Sequence, residues 1–265
     1  HSVGFVTKHW ADFGVNFVVQ RNINFQSNLP HNDISIRKLP EAQFTVREHE
    51  IDVKGWPFWI SLDSSAGLLR RSQNLFQTRQ FVSRVDFAPR ISTAFHGAGM
   101  QLIPSFGIRE TYYGSSNQGS GFTGQNVLRN ARDVSVDLIL PSLARVYGAP
   151  SWMGDKVKHV IEPRVTYKNT GGIGNFSNLI RFDEADLLSN TNHGEFSITN
   201  RLLAKEKNGN VTDFITWQTW YDRYFDPTFG GAIVAGRRNV LQSSLDLTGY
   251  GYLDGLRHSS PIVST

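Results

Sequence analysis

The sequence contains no cysteine among its 265 residues, which excludes an internal disulfide framework and thiolate metal sites. It also has no run approaching the ~20 apolar residues that a membrane-spanning helix requires, so a helical membrane protein is excluded. The net charge is +4, but the lysines and arginines are scattered, whereas a nucleic-acid surface usually clusters them. We therefore expect no nucleic-acid partner.

Signatures of catalysis and of metal binding are also missing. There is no G-x-S-x-G elbow, no G-x-x-x-x-G-K loop and no H-x-x-x-H pair. Asp183, Glu184 and Asp186 could bind Ca²⁺, but they lack the glycine and ligand periodicity of an EF-hand. We expect these acids in a solvated loop. The sequence predicts no catalytic residue, no metal site and no cofactor, and hence a protein that is not an enzyme.

What the sequence has is aromatic side chains, 12% of its residues, and repeated alternation of polar and apolar positions. Such a period of two predicts strands with one apolar and one hydrated face. Pro163 interrupts the clearest case because it cannot donate to a ladder, and we expect a bulge or a barrel rim there. In that strand one face carries Val157, His159, Ile161, Val165 and Tyr167, and the other carries Lys158, Glu162, Arg164, Thr166 and Lys168.

The same alternation predicts roughly ten or eleven strands, most near the ~10 residues that a tilted strand needs to cross an outer membrane. Two strands should flank a turn at Ala11–Asp12, and two short strands should flank Pro40. The longest strand is predicted between Phe81 and His96, with its partner after the turn HGAG. Further strands are predicted at 56–67, 133–140, 213–224 and 240–253, and polar loops at 68–80, 114–130 and 169–193.

The pattern alone leaves a soluble β-sandwich and a membrane barrel about equally favoured, because both alternate. Charges of opposite sign on the polar faces favour a water-filled lumen; we expect Lys158 to pair with Glu162, and Arg84 with Asp86. Rings at strand ends favour an aromatic girdle, although they could also close a large soluble core. The predicted girdle residues are Trp56, Tyr112, Tyr113, Tyr167, Tyr224 and Tyr252.

Four stretches resemble the LptD family of outer-membrane lipopolysaccharide-assembly proteins, most closely its acidobacterial-type members. They are HVIEPRVTYKNTGGIGNFSNLIRFDEADLLSNTNHGEFSITNRL, PSFGIRETYY, FDPTFGGAIVAGRRN and LDLTGYGYLDGLRHSSPIVST. The similar blocks extend from about Trp56 to Thr265. The resemblance implies a very large antiparallel barrel in the cell outer membrane, through which lipopolysaccharide passes and leaves by a lateral gate. It also implies an LptE-like lipoprotein plug in the lumen and periplasmic Lpt bridge proteins as partners.

We therefore expect an all-β fold in which residues 1–265 form one segment of an antiparallel transmembrane β-barrel wall, without a second domain. A segment of this size should be an open sheet unless further strands complete the barrel. The lumen-facing candidates for the lipopolysaccharide path are Arg84, Arg90, Lys158, Glu162 and Arg164. The expected lipid-facing positions include Ile91, Val165 and Leu247. The alternatives are another outer-membrane porin or transporter, or a soluble β-rich carbohydrate-active protein.

Overall fold

A computed structural model of the protein describes residues 1–24, 33–73, 76–77, 80–117, 122–150, 152, 154–175, 178–206, 209–225 and 263–264. Strands make up most of this part, and a short 3₁₀ turn occupies Glu184–Leu187. In the described ranges, no helix has both the length and the apolar character needed to cross a membrane.

The strands follow one another closely along the chain. Their bounds are β1 Ser2–Trp10, β2 Phe13–Asn24, β3 Ile34–Val53, β4 Trp56–Gln73, β5 Phe76–Gln77, β6 Val82–Thr93, β7 Phe95–Gly97, β8 Met100–Tyr113, β9 Ser116–Asn117, β10 Phe122–Thr123, β11 Val127–Ile139, β12 Leu143–Gly148, β13 Lys156–Gly171, β14 Thr191–Lys205, β15 Val211–Tyr224 and β16 Val263–Ser264.

One antiparallel sheet contains all of these strands except the small β9–β10 hairpin. Its order is β1-β2-β3-β4-β6-β8-β11-β13-β14-β15-β16, with β5, β7 and β12 added beside β4, β8 and β13. Eleven strands thus lie side by side, which confirms the predicted number. Among the described residues no ladder joins β1 to β16, so the sheet is open. The all-β fold and the partial barrel wall are confirmed.

The two faces of this sheet are opposite in character to those of a soluble sandwich. In β6, Phe87 is 48% exposed and Ile91 40% exposed, whereas Arg84 and Asp86 are only 3% exposed. A soluble sandwich buries its apolar face and exposes its polar one. The wall of a membrane barrel instead presents its apolar face to lipid. The other apolar positions that share this exposed face include Phe17, Val19, Phe106, Ile108, Leu128, Val134, Phe196 and Ile198.

The two ends of the strands differ in the length of their connections. Tight turns join β1 to β2, β3 to β4, and β7 to β8, with positive φ angles of 48° at Ala11, 55° at Lys54 and 51° at Ala98. We call these strand ends the short-turn end of the sheet. At the opposite strand ends, the long-loop end, β13 and β14 are separated by residues 172–190, and β8 and β11 by residues 114–126.

Several strands are longer than the sequence predicted. The strand β3 passes through Pro40 without interruption and spans 20 residues, because a register shift between Lys38 and Glu41 absorbs the irregularity. The strand β4 continues to Gln73, through half of the predicted loop at 68–80. The predicted longest strand is wrong, since β6 has 12 residues. The predicted loop at 114–130 contains the β9–β10 hairpin and the start of β11.

The predicted irregularity at Pro163 lies on one side of β13 only: the β11–β12 row has one extra residue between its pairings with Arg164 and Ile161, whereas the β14 side has no bulge. The pairing of Pro163 with Ile198 belongs to a continuous register between β13 and β14. The Pro163 carbonyl accepts from the Leu140 amide at 3.1 Å, so its backbone polar groups point toward the neighbouring row. That row is interrupted there, between Ile139 and Leu143. The missing N–H of proline therefore costs no regular ladder bond, and the strand continues. The predicted strand at 240–253, with Leu247 and Tyr252, lies outside the described residues.

We predict that Phe87→Lys destabilises the folded protein by about 2–4 kcal/mol, because it places a charge near the middle of a lipid-facing strand. Urea unfolding in phospholipid vesicles measures the change. Ala88→Lys is the matched control, since Ala88 is on the polar face directly opposite Asp63. Equal losses of stability from the two variants would contradict the assignment of the faces.

Candidate functional site

Residues 172–175 and 178–190, here called the inserted segment, fold back over the polar face at the long-loop end. Its two ends are joined by Asn190, whose side chain accepts from the Ile173 amide and donates to the Ile173 carbonyl, both at 2.9 Å. Leu179, Ile180 and Phe182 are at most 3% exposed. Asp186 is fully buried and the Asp183 side chain is 17% exposed, so the prediction that these acids lie in solvent was wrong.

The tip of the inserted segment packs on an apolar patch at the ends of four strands. Its buried residues Leu179, Ile180 and Phe182 form one cluster with side chains of the sheet. Burial of such side chains contributes about 1.5–3 kcal/mol each. The sheet residues of this cluster are Ile36 of β3, Leu69 of β4, Val82 of β6 and Tyr113 of β8.

Two acids of the inserted segment are held in place by its own backbone. Asp183 caps the 3₁₀ turn by accepting from the Ala185 amide at 3.2 Å. Asp186 reaches back and accepts from the amides of Phe182 at 2.7 Å and Asp183 at 3.2 Å. This reciprocal capping arrangement fixes the position of both carboxylates before they meet the sheet.

Arg84 of β6 is the centre of the site. Its Nη1 donates to Asp183 Oδ1 at 2.7 Å and to the Asp186 carboxylate at 3.0 and 3.1 Å. Its Nη2 donates to Asp183 Oδ2 at 2.8 Å and to Glu41 Oε1 at 2.9 Å. Three carboxylates, two from the inserted segment and one from β3, therefore surround one buried guanidinium. Such charge-assisted bonds are about twice as strong as neutral ones.

Two further side chains donate to the carboxylates around Arg84. Lys38 Nζ donates to Glu41 Oε2 at 3.0 Å and to Asp183 Oδ2 at 2.7 Å. The Tyr113 hydroxyl donates to Asp186 Oδ1 at 2.5 Å. Tyr113 is fully buried, so its assignment to an aromatic girdle was wrong.

A second charged group lies beside the first on β6, β8 and β11. Asp86 accepts from Arg109 Nε at 2.9 Å and Nη2 at 2.7 Å, and from the Thr111 hydroxyl at 2.6 Å. Arg129 is fully buried; it donates to Thr111 Oγ1 at 2.6 Å and to the Ala185 carbonyl at 2.7 Å. The second group therefore also contacts the inserted segment.

The two acids of the inserted segment are affected differently by their surroundings. Burial alone would raise the pKa of Asp183, but hydrogen bonds and charge from Arg84, together with Lys38, lower that pKa below its ordinary value. Burial raises the pKa of Asp186, and the Asp183 carboxylate adds to this rise while Arg84 opposes it. Two carboxylates that share one guanidinium thus have their pKa values driven apart. Asp183 carries the stable negative charge that holds the segment.

Two glycines allow ion pairs to form across an intervening strand. Gly67 of β4 pairs with Glu41 on one side and Arg84 on the other. Gly107 of β8 has the same position between Arg90 and Asp133, which form an ion pair. Because glycine has no Cβ, the side chains of the flanking strands can meet above it.

The five residues predicted from the sequence all lie on the polar face of β6 or β13, but only Arg84 belongs to the buried network. Arg90 pairs with Asp133, and Arg164 pairs with Asp137 at 2.9 Å. Lys158 is exposed and Glu162 half-buried, and neither has an ion pair among the described contacts. Their role in a lipopolysaccharide path stays a prediction.

The predicted partners of Arg84 and Lys158 were wrong for a geometric reason. Residues two apart in one strand, such as Arg84 and Asp86, lie nearly 7 Å apart, and residues four apart, such as Lys158 and Glu162, lie about 13 Å apart, so neighbouring strands supply closer partners. Arg84 pairs with Glu41 and the inserted segment, while Asp86 pairs with Arg109. The sequence did contain two signals of the contact: Leu179 and Ile180 are adjacent apolar residues in a polar stretch, and Asp183 and Asp186 have capping-box spacing.

A cavity of about 230 Å³ opens on the polar face next to the inserted segment. Arg90 and Arg109 of the sheet contribute to its lining, as does Leu188 of the segment. In the described ranges, no three His, Asp or Glu side chains are grouped so that they could hold a metal ion.

We predict that Arg84→Ala lowers the free energy of unfolding by about 3–5 kcal/mol, because it leaves three carboxylates without their shared cation. Arg90→Ala is the matched control on the same strand and face; its ion pair is 43% exposed on the arginine side, and its loss should cost less than about 1 kcal/mol. Urea titration of both variants in the same detergent gives the comparison. Similar losses in the free energy of unfolding of the two variants would show that the buried network contributes no more to stability than an exposed ion pair.

We also predict that Gly67→Ala destabilises the protein and loosens the inserted segment. A Cβ at position 67 would lie 2.9 Å from Glu41 Cβ and 3.0 Å from the Pro40 carbonyl oxygen, so β3 would have to shift away from Arg84. At Gly97 a Cβ meets no atom within 4 Å, so Gly97→Ala is the control. Hydrogen exchange at the Phe182 amide should accelerate in the first variant alone; unchanged exchange would refute the prediction.

Comparison with known proteins agrees with this architecture. The family model LptD, described as LPS transport system D, matches residues 4–211, which is more than half of the chain. The match begins well before Trp56, where the resemblance was expected to start, and includes β1–β14 and the inserted segment. No curated protein matches the chain. With an exposed apolar face, a charged polar face and this match, the chain belongs to the LptD family of outer-membrane β-barrel proteins for lipopolysaccharide transport.

Proposed function

We propose that this protein forms part of the wall of an outer-membrane translocon that inserts lipopolysaccharide into the outer leaflet, and that it acts without catalysis. The observation that carries the proposal is the inverted distribution of polarity, with exposed apolar side chains on one face and paired charges on the other. A wall of this kind separates lipid from a hydrated interior. Membership of the LptD family indicates that the substrate is lipopolysaccharide.

The polar face is the surface that lipopolysaccharide would meet. Arg90 and Arg164 are about half exposed there, each beside one aspartate. Arginine binds phosphate in a bidentate manner, and lipopolysaccharide carries phosphates on its lipid portion. Lys158 and Glu162 extend the same face on β13 toward the short-turn end, and Arg84 closes it at the long-loop end. In this proposal these five residues line the path.

The connections orient the wall in the membrane. Outer-membrane barrels have short periplasmic turns and long extracellular loops. The turns at Ala11–Asp12, Lys54–Gly55 and Ala98–Gly99 therefore face the periplasm in the proposed orientation, and the inserted segment enters the polar face from outside. Rings at the short-turn end agree with an interfacial girdle, since Trp56 lies edge-on to Phe95 at 5.4 Å.

Two classes of protein partner follow from the proposal. An LptE-like lipoprotein plug would occupy the polar face toward the short-turn end, which the inserted segment leaves uncovered. Periplasmic Lpt bridge proteins would deliver lipopolysaccharide to the same end. The location of the complex would be the cell outer membrane.

We predict that the double charge reversal Arg90→Glu with Arg164→Glu reduces delivery of lipopolysaccharide to the cell surface several-fold, because it repels phosphates from the path. Surface lipopolysaccharide is measured by accessibility to an added modifying enzyme, and partner binding by recovery of the lipoprotein on purification. Arg132→Glu is the control, since Arg132 lies on the opposite face of β11 from Asp133. Unchanged delivery and unchanged lipoprotein recovery would remove the proposed role of these arginines.

A further inference from the structure

The surface beneath the inserted segment is strongly cationic. It presents five basic side chains against two acids, Glu41 and Asp86, and so carries a net charge of +3 without the segment. The segment itself brings Asp183 and Asp186 to this surface, both bonded to Arg84. The two surfaces are therefore complementary in charge. The basic residues of the sheet are Lys38, Arg71, Arg84, Arg109 and Arg129.

Asp183 occupies this surface as a bound anion would. Its two oxygens accept separately from the two terminal nitrogens of Arg84, at 2.7 and 2.8 Å, while Lys38 donates to the second oxygen at 2.7 Å. This bidentate geometry with an added lysine is also the one in which proteins hold phosphate.

The carboxylates leave part of the donor capacity unused. Within the described residues, the Nε groups of Arg84 and Arg129 have no hydrogen-bond partner, although these side chains are only 3% and 0% exposed. An unpaired buried donor is costly, and native structures contain few of them. A phosphate group has more acceptor oxygens than a carboxylate and could satisfy donors that Asp183 and Asp186 do not reach.

We propose that Lys38, Arg84 and Arg129 form a binding site for a phosphate group, and that the inserted segment occupies this site as an internal competitor until a phosphorylated ligand displaces it. The identification of lipopolysaccharide as the displacing ligand rests on the proposed function. The chemistry of the site, a cationic surface covered by an acidic mimic of its ligand, rests on the contacts alone.

The apolar contacts of the segment indicate which phosphorylated ligand fits. Displacing Leu179, Ile180 and Phe182 uncovers the patch that includes Leu69 and Val82. Inorganic phosphate cannot cover that patch, whereas an amphiphile carrying phosphate next to acyl chains can. A phosphorylated lipid should therefore displace the segment more readily than free phosphate or pyrophosphate.

Displacement can be measured directly because the chain has no cysteine. Ile180→Cys places a single thiol at a position that is 0% exposed while the segment is docked. We expect maleimide labelling in the detergent-purified protein to accelerate about tenfold with lipopolysaccharide, less with pyrophosphate, and not at all with enzymatically dephosphorylated lipopolysaccharide. Acceleration by pyrophosphate as large as that by lipopolysaccharide would contradict the lipid as the preferred source of phosphate.

Affinity provides the second measurement. Asp183→Asn with Asp186→Asn should raise the affinity for lipopolysaccharide about tenfold, because the competitor is weakened, and adding Arg84→Gln should abolish the gain. Asp213→Asn is the matched control, since Asp213 pairs with Arg201 in an exposed ion pair far from the segment. If the double variant fails to fold, replacing residues 178–188 by a Gly-Ser linker removes the competitor instead.

The outcomes separate this inference from the proposed function. Lipopolysaccharide that binds equally well with and without the segment, and leaves labelling unchanged, overturns the competitor and keeps the transport proposal. Pyrophosphate that binds and accelerates labelling while lipopolysaccharide does neither keeps the phosphate site and overturns its proposed substrate. If all variants behave identically with every probe, the proposed phosphate-binding site is refuted.

Discussion

The polar face of this protein depends on the burial of one guanidinium. Arg84 is 3% exposed and bonds to three carboxylates, so its buried charge is compensated without water only while β3, β6 and the inserted segment keep their relative positions. A buried ion pair adds little net stability compared with apolar packing, but breaking one leaves uncompensated charge. The buried network around Arg84 therefore provides specificity. It fixes the position of the inserted segment over the polar face. It also fixes the register in which β3 meets β4, because Glu41 of β3 reaches Arg84 of β6 across Gly67 of β4.

The same constraint explains how a sheet with an exposed apolar face remains ordered. A barrel wall obtains no core from its lipid side, where side chains such as Phe87 and Phe106 meet hydrocarbon. Order on the other side must come from hydrogen bonds, ion pairs and small satellite clusters. Here the cluster around Phe182 and the bonds of Arg84 and Asp86 supply it, and both lie at the long-loop end. Toward the short-turn end the polar face is more open, with the half-exposed Arg90 and Arg164.

The strands and the inserted segment therefore depend on each other unequally. The strands keep their backbone ladders whether or not the segment is docked, because none of the strand pairings described involves it. The described buried contacts between the segment and the sheet, in contrast, are made by side chains of the sheet such as Arg84, Arg129 and Leu69. An element held by side chains on a rigid scaffold can leave and return without unfolding the scaffold. This asymmetry suits a displaceable cover over a charged surface.

The sequence by itself determined the all-β class of fold and the face on which Arg84, Arg90 and Arg164 lie, because alternation with period two is a local property of the backbone. It did not determine that β3 runs through Pro40 or on which side of β13 the irregularity at Pro163 lies, since both depend on neighbouring strands. The tertiary structure alone decided the site. Asp183 meets Arg84 and Lys38 across 99 and 145 residues of chain, and no local pattern specifies a contact at that separation. Its carboxylate looked like a solvated loop acid because the cations that bury it become neighbours only when the sheet has formed.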